Sequence, residues 1–187
     1  GAGSGNIKPY NFPGSSYGYI YGGTIPTNNV IERVSLTTDG NATDVGDILS
    51  ARGEVTGCSL PDYGYCGGGS PSVNTIERMS FSAEGNTTDV GDLTAGRRDF
   101  GSCSSETYCY WVGGGGHLNI IEHSAHASSA NAVDVGDLSV GYNHGAGASD
   151  VPAGYGYING GFVSSTQSVY IDRFQMQASA NGTDIGD

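Results

Sequence analysis

The chain is poor in positive charge, in helix-forming stretches and in long apolar runs, and each shortage removes a class of function. Seven Lys and Arg stand against 19 Asp and Glu, a net charge of −12. A surface of that sign repels phosphate backbones and anionic bilayers, so nucleic acid is not an expected partner. No apolar run approaches the ~20 residues of a membrane-spanning helix, so membrane insertion is not expected either. The opening Gly1-Ala2-Gly3-Ser4-Gly5 has neither the basic nor the apolar region of a signal peptide. Gly1 is not Met and the chain starts and stops in phase with its own repeat, so a processed or excerpted piece of a longer protein is the expectation. With 33 glycines every stretch is too interrupted for a helix of ordinary length.

In place of helix formers the chain has tyrosine, glycine and β-branched residues, arranged periodically. Tyr17-Gly18-Tyr19-Ile20-Tyr21-Gly22-Gly23 recurs at Tyr63 to Gly69, Tyr108 to Gly114 and Tyr155 to Gly161, and the last glycines are 46, 45 and 47 residues apart. Self-similarity at such a period marks a repeat array whose core is shared between neighbouring units. The expected units are 1–47, 48–92, 93–137 and 138–187, each of four short strands in an all-β fold. The first strand is a small-residue segment such as Val55 to Ser59, and the second is the Tyr-Gly-Tyr strand. The third is Val30 to Leu36, Thr75 to Phe81, Ile120 to His126 and Tyr170 to Met176. The fourth surrounds Thr43 to Asp47, Thr88 to Asp92, Val133 to Asp137 and Thr183 to Asp187.

Strand periodicity places Tyr17, Tyr19 and Tyr21 on one face and Gly18, Ile20 and Gly22 on the other. A ring from one sheet then lies against bare backbone in the next without a void, and each buried phenol needs a partner for its hydroxyl. In the third strand an acid precedes a base: Glu32-Arg33, Glu77-Arg78, Glu122-His123 and Asp172-Arg173. A charged pair repeated in every unit is read as a structural ion pair between neighbours, because catalysis needs more than a dyad. The connection between second and third strands varies most, with 8, 7, 7 and 10 residues from the last glycine to the isoleucine. Insertions in one loop class gather on one face of an array, frequently the binding face.

An aromatic strand closed by Gly-Gly, an Ile-acid-Arg strand and an Asp-x-Gly-Asp-Leu segment leading to a basic residue (Leu49 to Arg52, Leu93 to Arg97) resemble the kelch-type β-propeller repeat over essentially the whole chain. The tryptophan of that family's fourth strand is absent, and Val45, Val90, Val135 and Ile185 lie nearby instead. The variant is similar to degenerate kelch-like repeats in bacteriophage structural and tail proteins. The resemblance implies a four-bladed propeller or part of a larger ring completed by further sequence or a second copy; a linear β-solenoid or fibre stack is the alternative.

The candidate chemistry is thin. Asp44 with Asp47, Asp89 with Asp92, Asp134 with Asp137 and Asp184 with Asp187 could offer calcium carboxylate oxygens, but two fall short of the usual six to eight ligands. The favoured reading is that each Asp accepts N–H bonds within a tight turn. Cys58 with Cys66 and Cys103 with Cys109 are expected to staple adjacent strands, with free buried thiols as the alternative. His117, His123 and His126 cluster in the third unit, but His123 and His126 are three apart on a strand and face opposite ways. Asn41, Asn86 and Asn181 open glycosylation sequons, relevant only in a secretory pathway that uses them. Phe162, Tyr170, Trp111, His117 and Tyr21 are the candidate binding side chains.

With no catalytic constellation, the expectation is a non-enzymatic structural and recognition module without a cofactor. It would be part of a phage tail, fibre or other virion appendage, with copies of itself or neighbouring virion or filament proteins and a host-surface glycan or protein as partners. A secreted or cell-surface adhesin or filament subunit, glycosylated and disulfide-bonded, is the second reading. A copper- or calcium-dependent enzyme on the same scaffold, as in galactose-oxidase-like kelch enzymes, is the third.

Overall fold

The structure, a computed structural model, describes residues 16–126 and 128–187; the Gly1 to Gly5 stretch and the first strand expected in the first unit lie outside them. In chain order the strands are β1 (Tyr17–Thr24), β2 (Thr27–Ser35), β3 (Thr43–Asp47), β4 (Thr56–Leu60), β5 (Tyr63–Gly67), β6 (Thr75–Ser80), β7 (Thr88–Asp92), β8 (Gly101–Ser104), β9 (Tyr108–Val112), β10 (Leu118–Ala125), β11 (Val133–Tyr142), β12 (Ala146–Asp150), β13 (Tyr155–Asn159), β14 (Phe162–Val163), β15 (Thr166–Gln167), β16 (Ile171–Gln175) and β17 (Thr183–Asp184). Described residues form no helix. The strands make four antiparallel meanders, β1-β2-β3, β4-β5-β6-β7, β8-β9-β10-β11 and β12-β13-β16-β17, with β14-β15 as a small extra hairpin. These sheets are arranged in a ring as the blades of a four-bladed β-propeller, and β4, β8 and β12 lie innermost.

The Asp-x-Gly-Asp motif explains how each fourth strand ends. In the first three blades the register slips opposite the third-strand Ile-Glu step, so that Ile31 faces Gly46 while Glu32 faces Asp44, with the same slip at Ile76/Glu77 and Ile121/Glu122. That β-bulge kinks the strand. Within it Asp44, Asp89, Asp134 and Asp184 each accept the N–H of the glycine two residues on, at 3.0–3.1 Å. Gly46, Gly91 and Gly136 take φ of 153, 150 and 155°, and a Cβ on any of them would strike the backbone of the next blade. Only glycine permits that approach.

Three seams repeat one set of contacts. The tyrosine in the third place of each second strand reaches the following blade: Tyr19 stacks on Phe81 at 5.1 Å and donates to Glu84 at 3.0 Å. Tyr65 meets His126 Nδ1 at 3.1 Å, and Tyr110 accepts the Gln177 N–H at 2.6 Å. Facing them are the small or apolar positions of the next blade. A Cβ at Gly64 would overlap the hydroxyl of Tyr21 in the preceding blade; at the next seam the relation is reversed, and Gly67 of the second blade leaves room for the Trp111 ring of the third. The bulky face of one sheet does fill the flat face of the next. One expectation fails at Tyr21, whose buried hydroxyl has no hydrogen-bond partner among the described residues. The seams are also tied by asparagines: Asn86, Asn131 and Asn181 accept the N–H groups of Asp47, Asp92 and Asp137, each at 3.1 Å.

The repeated acid and base do not pair with each other. As neighbours on a strand they point to opposite faces. The bases cover tyrosine rings of their own sheet: Arg33 over Tyr17, Arg78 over Tyr63 and Arg173 over Tyr155, at 4.3–4.6 Å, with His123 stacked on Tyr108 at 4.1 Å. The acids Glu77, Glu122 and Asp172 are wholly buried and bind the segment that enters their blade. Glu77 takes the Leu49 N–H at 2.9 Å and pairs with Arg52 at 2.5 Å. Glu122 takes the Thr94 N–H at 3.0 Å and pairs with Arg97. Asp172 takes the Ser139 N–H at 3.0 Å and the Tyr142 hydroxyl at 3.2 Å. An ion pair of this kind fixes geometry more than it adds stability, since both charges lose water.

The cysteine pairing also differs from expectation. Cys58 bonds to Cys109, across the second and third blades, with Cα atoms 5.9 Å apart. Register explains why the pairings within a blade are not made. Cys66 lies opposite Gly57 and Cys109 opposite Ser104, so Cys58 and Cys66, and likewise Cys103 and Cys109, are offset by one residue and point to opposite faces. Cys66 and Cys103 are buried free thiols.

Candidate binding face

The loops entering the second, third and fourth blades and the loops between second and third strands lie on one face. The Gly-Gly turns join them: Gly23 donates to the Arg52 carbonyl at 3.2 Å, Gly69 to that of Arg97 at 3.0 Å and Gly114 to that of Tyr142 at 2.9 Å. Gly22, Gly68 and Gly113 have φ of 61, 62 and 70°, and a Cβ at Gly22 or Gly68 would collide with the carbonyl it faces. On the same face Gly53 bridges Ser70, and Asn143 bridges Phe162.

On this face three equivalent residues, Glu54, Asp99 and His144, hold left-handed φ of 57, 57 and 59°. Non-glycine residues in that region cost of order 1–3 kcal/mol each, and such strain gathers at functional sites. Their side chains form an arc. Arg98 Nε lies 3.5 Å from Glu54 and 3.6 Å from Asp99, and Asp99 lies 3.2 Å from His144 Nδ1. The Phe162 ring stands edge-on to His144 at 6.0 Å. The Arg98 and His144 side chains are 46% and 54% exposed, so the arc is open to a ligand.

The axis itself holds a cavity of about 450 Å³ between β4, β8 and β12. Its walls are small: Gly57, Ser102, Ser104, Ala148 and Ser149 among them. Several hydroxyls are already engaged, Ser102 donating to the Gly57 carbonyl at 2.5 Å and Ser149 accepting the Ser104 N–H at 2.8 Å. A second cleft of about 290 Å³ between the first two blades is walled by Tyr17, Tyr19, Tyr21 and Phe81.

Of the residues proposed for binding, Phe162 and His117 are exposed in loops or their small hairpin. Trp111 is not a loop residue. It lies on β9 with no exposed surface, donating its indole N–H to Ser124 at 3.0 Å, because Gly67 opens a hollow of its size in the neighbouring sheet. Tyr21 is turned into the seam, and Tyr170 packs partly buried on the core of the last two blades. His123 and His126 diverge as expected, one onto Tyr108 and the other to Tyr65. No three His, Cys, Asp or Glu gather as metal ligands among the described residues; the first Asp of each pair serves its own turn. Asn131 makes the same bond as Asn86 and Asn181 without opening a sequon, so seam geometry alone accounts for these asparagines. Glu54, Arg98, Asp99 and His144 were not singled out by sequence, although each stands one or two residues after the repeated Arg or Tyr anchor.

Compared with known proteins, the sequence matches no family model and no curated protein.

Proposed function

We propose that this chain is a non-enzymatic structural and recognition module, a kelch-like propeller of a phage tail, fibre or other virion appendage. It binds a glycan or protein through the face that carries the Glu54, Arg98, Asp99 and His144 arc and the β14-β15 hairpin. The observation that carries the reading is the meeting of the loop class that varies most in length with three strained polar residues. The exposed Phe162 ring can stack on an apolar sugar face, while the polar arc supplies directional hydrogen bonds. Kelch-like and phage origin rest on the repeat's resemblance. The inter-blade disulfide fits a virion or extracellular setting, where such bonds persist.

A glycan array probed with the labelled chain tests the reading. The paired change Phe162→Ala with Arg98→Ala should lower binding at least about tenfold with an unchanged melting midpoint. Binding that survives the pair, or a chain that binds neither glycan nor host surface, overturns it. The disulfide equally favours the second reading, a secreted or cell-surface adhesin; occupied Asn41, Asn86 or Asn181 in an intact-mass measurement would decide for it.

A further inference from the structure

Among the described residues, the seam between the fourth and first blades shows none of the contacts that close the other three. On the receiving face of the first blade Ile20 is 53% exposed, whereas its counterparts Cys66, Trp111 and Ile158 are wholly buried. Leu36 is 59% exposed, whereas Met176 in the same place is 4% exposed and Phe81 lies under Tyr19. Asn41 should accept an N–H as Asn86, Asn131 and Asn181 do, and makes no such bond among the described residues. The fourth blade presents the matching half. Tyr157 stands where Tyr19 does, Arg173 covers Tyr155 as Arg33 covers Tyr17, and Asp187 holds the place of Asp47, Asp92 and Asp137.

We propose that this face of the first blade docks the fourth blade of a second copy of the chain. The first seam gives the pattern. There Tyr19 and Arg33 of one blade converge on Glu84 of the next, the arginine at 2.8 Å. Asp39 occupies the Glu84 position in the first blade, so Arg173 and Tyr157 of one copy meet Asp39 and Leu36 of the other. Asn41 takes the Asp187 N–H, and Ile20 is covered. The contact has an apolar centre with a complementary charged rim, the composition of a specific interface. Because the two surfaces differ, the association is head-to-tail: it ends as a ring if the rotation closes and otherwise continues as a filament.

Sedimentation and light scattering of the full chain test this, aided by Leu36→Glu, Asp39→Arg and Arg173→Asp. The wild type should associate in a concentration-dependent way. Leu36→Glu should abolish association, and each charge reversal should weaken it by about a hundredfold. Mixing the Asp39→Arg and Arg173→Asp chains should restore association, because each seam of the mixed pair then joins opposite charges while either variant alone places like charges together, and the double reversal in one chain should restore self-association. Unchanged far-ultraviolet circular dichroism shows that each variant folds. A wild type that stays monomeric up to its solubility limit overturns the proposal, as does association indifferent to both single reversals in folded chains.

Discussion

Removing the carboxylate of Glu122 tests the reasoning about the blade-entry anchors most directly. Glu122 has no exposed surface and Arg97 only 2%. The carboxylate accepts the Thr94 N–H at 3.0 Å and the Thr94 hydroxyl at 2.5 Å besides pairing with the guanidinium. In Glu122→Ala the buried cation keeps the Trp111 carbonyl at 3.2 Å, while its Nε has no hydrogen-bond partner among the described residues even in the wild type. Stranding a buried charge costs about 3–5 kcal/mol, and on a chain of this size that lowers the melting midpoint by of the order of 10 °C. The double change Arg97→Met with Glu122→Leu removes the charge as well and leaves chiefly the Thr94 N–H unpaired, at about 1–3 kcal/mol. The double variant should therefore be more stable than Glu122→Ala by roughly 2 kcal/mol. Urea unfolding followed by the fluorescence of the sole tryptophan, Trp111, reads both, since that residue pairs with Glu122 in the sheet. A loss under about 1 kcal/mol in Glu122→Ala, or a double variant less stable than it, would refute the account.

Other positions give further outcomes. Gly91→Ala should cost about 1–3 kcal/mol, because its φ and the backbone of Ala130 both oppose a Cβ, whereas Gly40→Ala, with nothing within 4 Å, should stay within about 0.5 kcal/mol in thermal melts. Thiol titration should find no reactive cysteine in the native protein, two after unfolding and four after reduction. Burial pushes the Cys103 thiol up to about 12 and raises that of Cys66 as well; rapid native labelling of either would contradict their placement. Burial lowers the pKa of His123. Its contribution to stability is then full above the unfolded value of about 6.5 and falls as pH drops below it, because the unfolded chain takes up the proton first. His123→Gln should flatten part of the decline in melting midpoint between pH 7 and pH 5.5, and an unaltered slope would remove His123 as its source.

The number of repeat units, the strand phases and the tyrosine-over-glycine packing were legible because each depends on periodicity along one strand and recurs from unit to unit. What was not legible depends on register and on distance across blades. Adjacency made Glu77 and Arg78 look paired, yet the pleat separates them, and the guanidinium that meets Glu77 is Arg52, 25 residues earlier. The cysteines failed for the same reason: a hairpin brings two strands together, but one residue of register decides whether two sulfurs share a face. Trp111 looked like an exposed binding residue because nothing on its own strand reveals that Gly67 leaves a hollow opposite.

The regularity that identifies the fold also limits where recognition is encoded. In the second, third and fourth blades the repeated positions are held in the same way: the Asp of the Asp-x-Gly turn by its glycine, the asparagine by the preceding sheet, the acid by the entering loop. A side chain committed in this way has little freedom to select a ligand. Departures from the repeat are therefore the informative residues, but only where they reach solvent. Trp111 departs and is absorbed by packing. Arg98, His144 and Phe162 depart on the open face, where the left-handed backbone at Glu54, Asp99 and His144 aims side chains outward at an energetic cost that the seams beneath must offset. Specificity should accordingly move with substitutions in that arc and in the β14-β15 hairpin while fold stability stays constant, and the reverse should hold for the repeated seam positions.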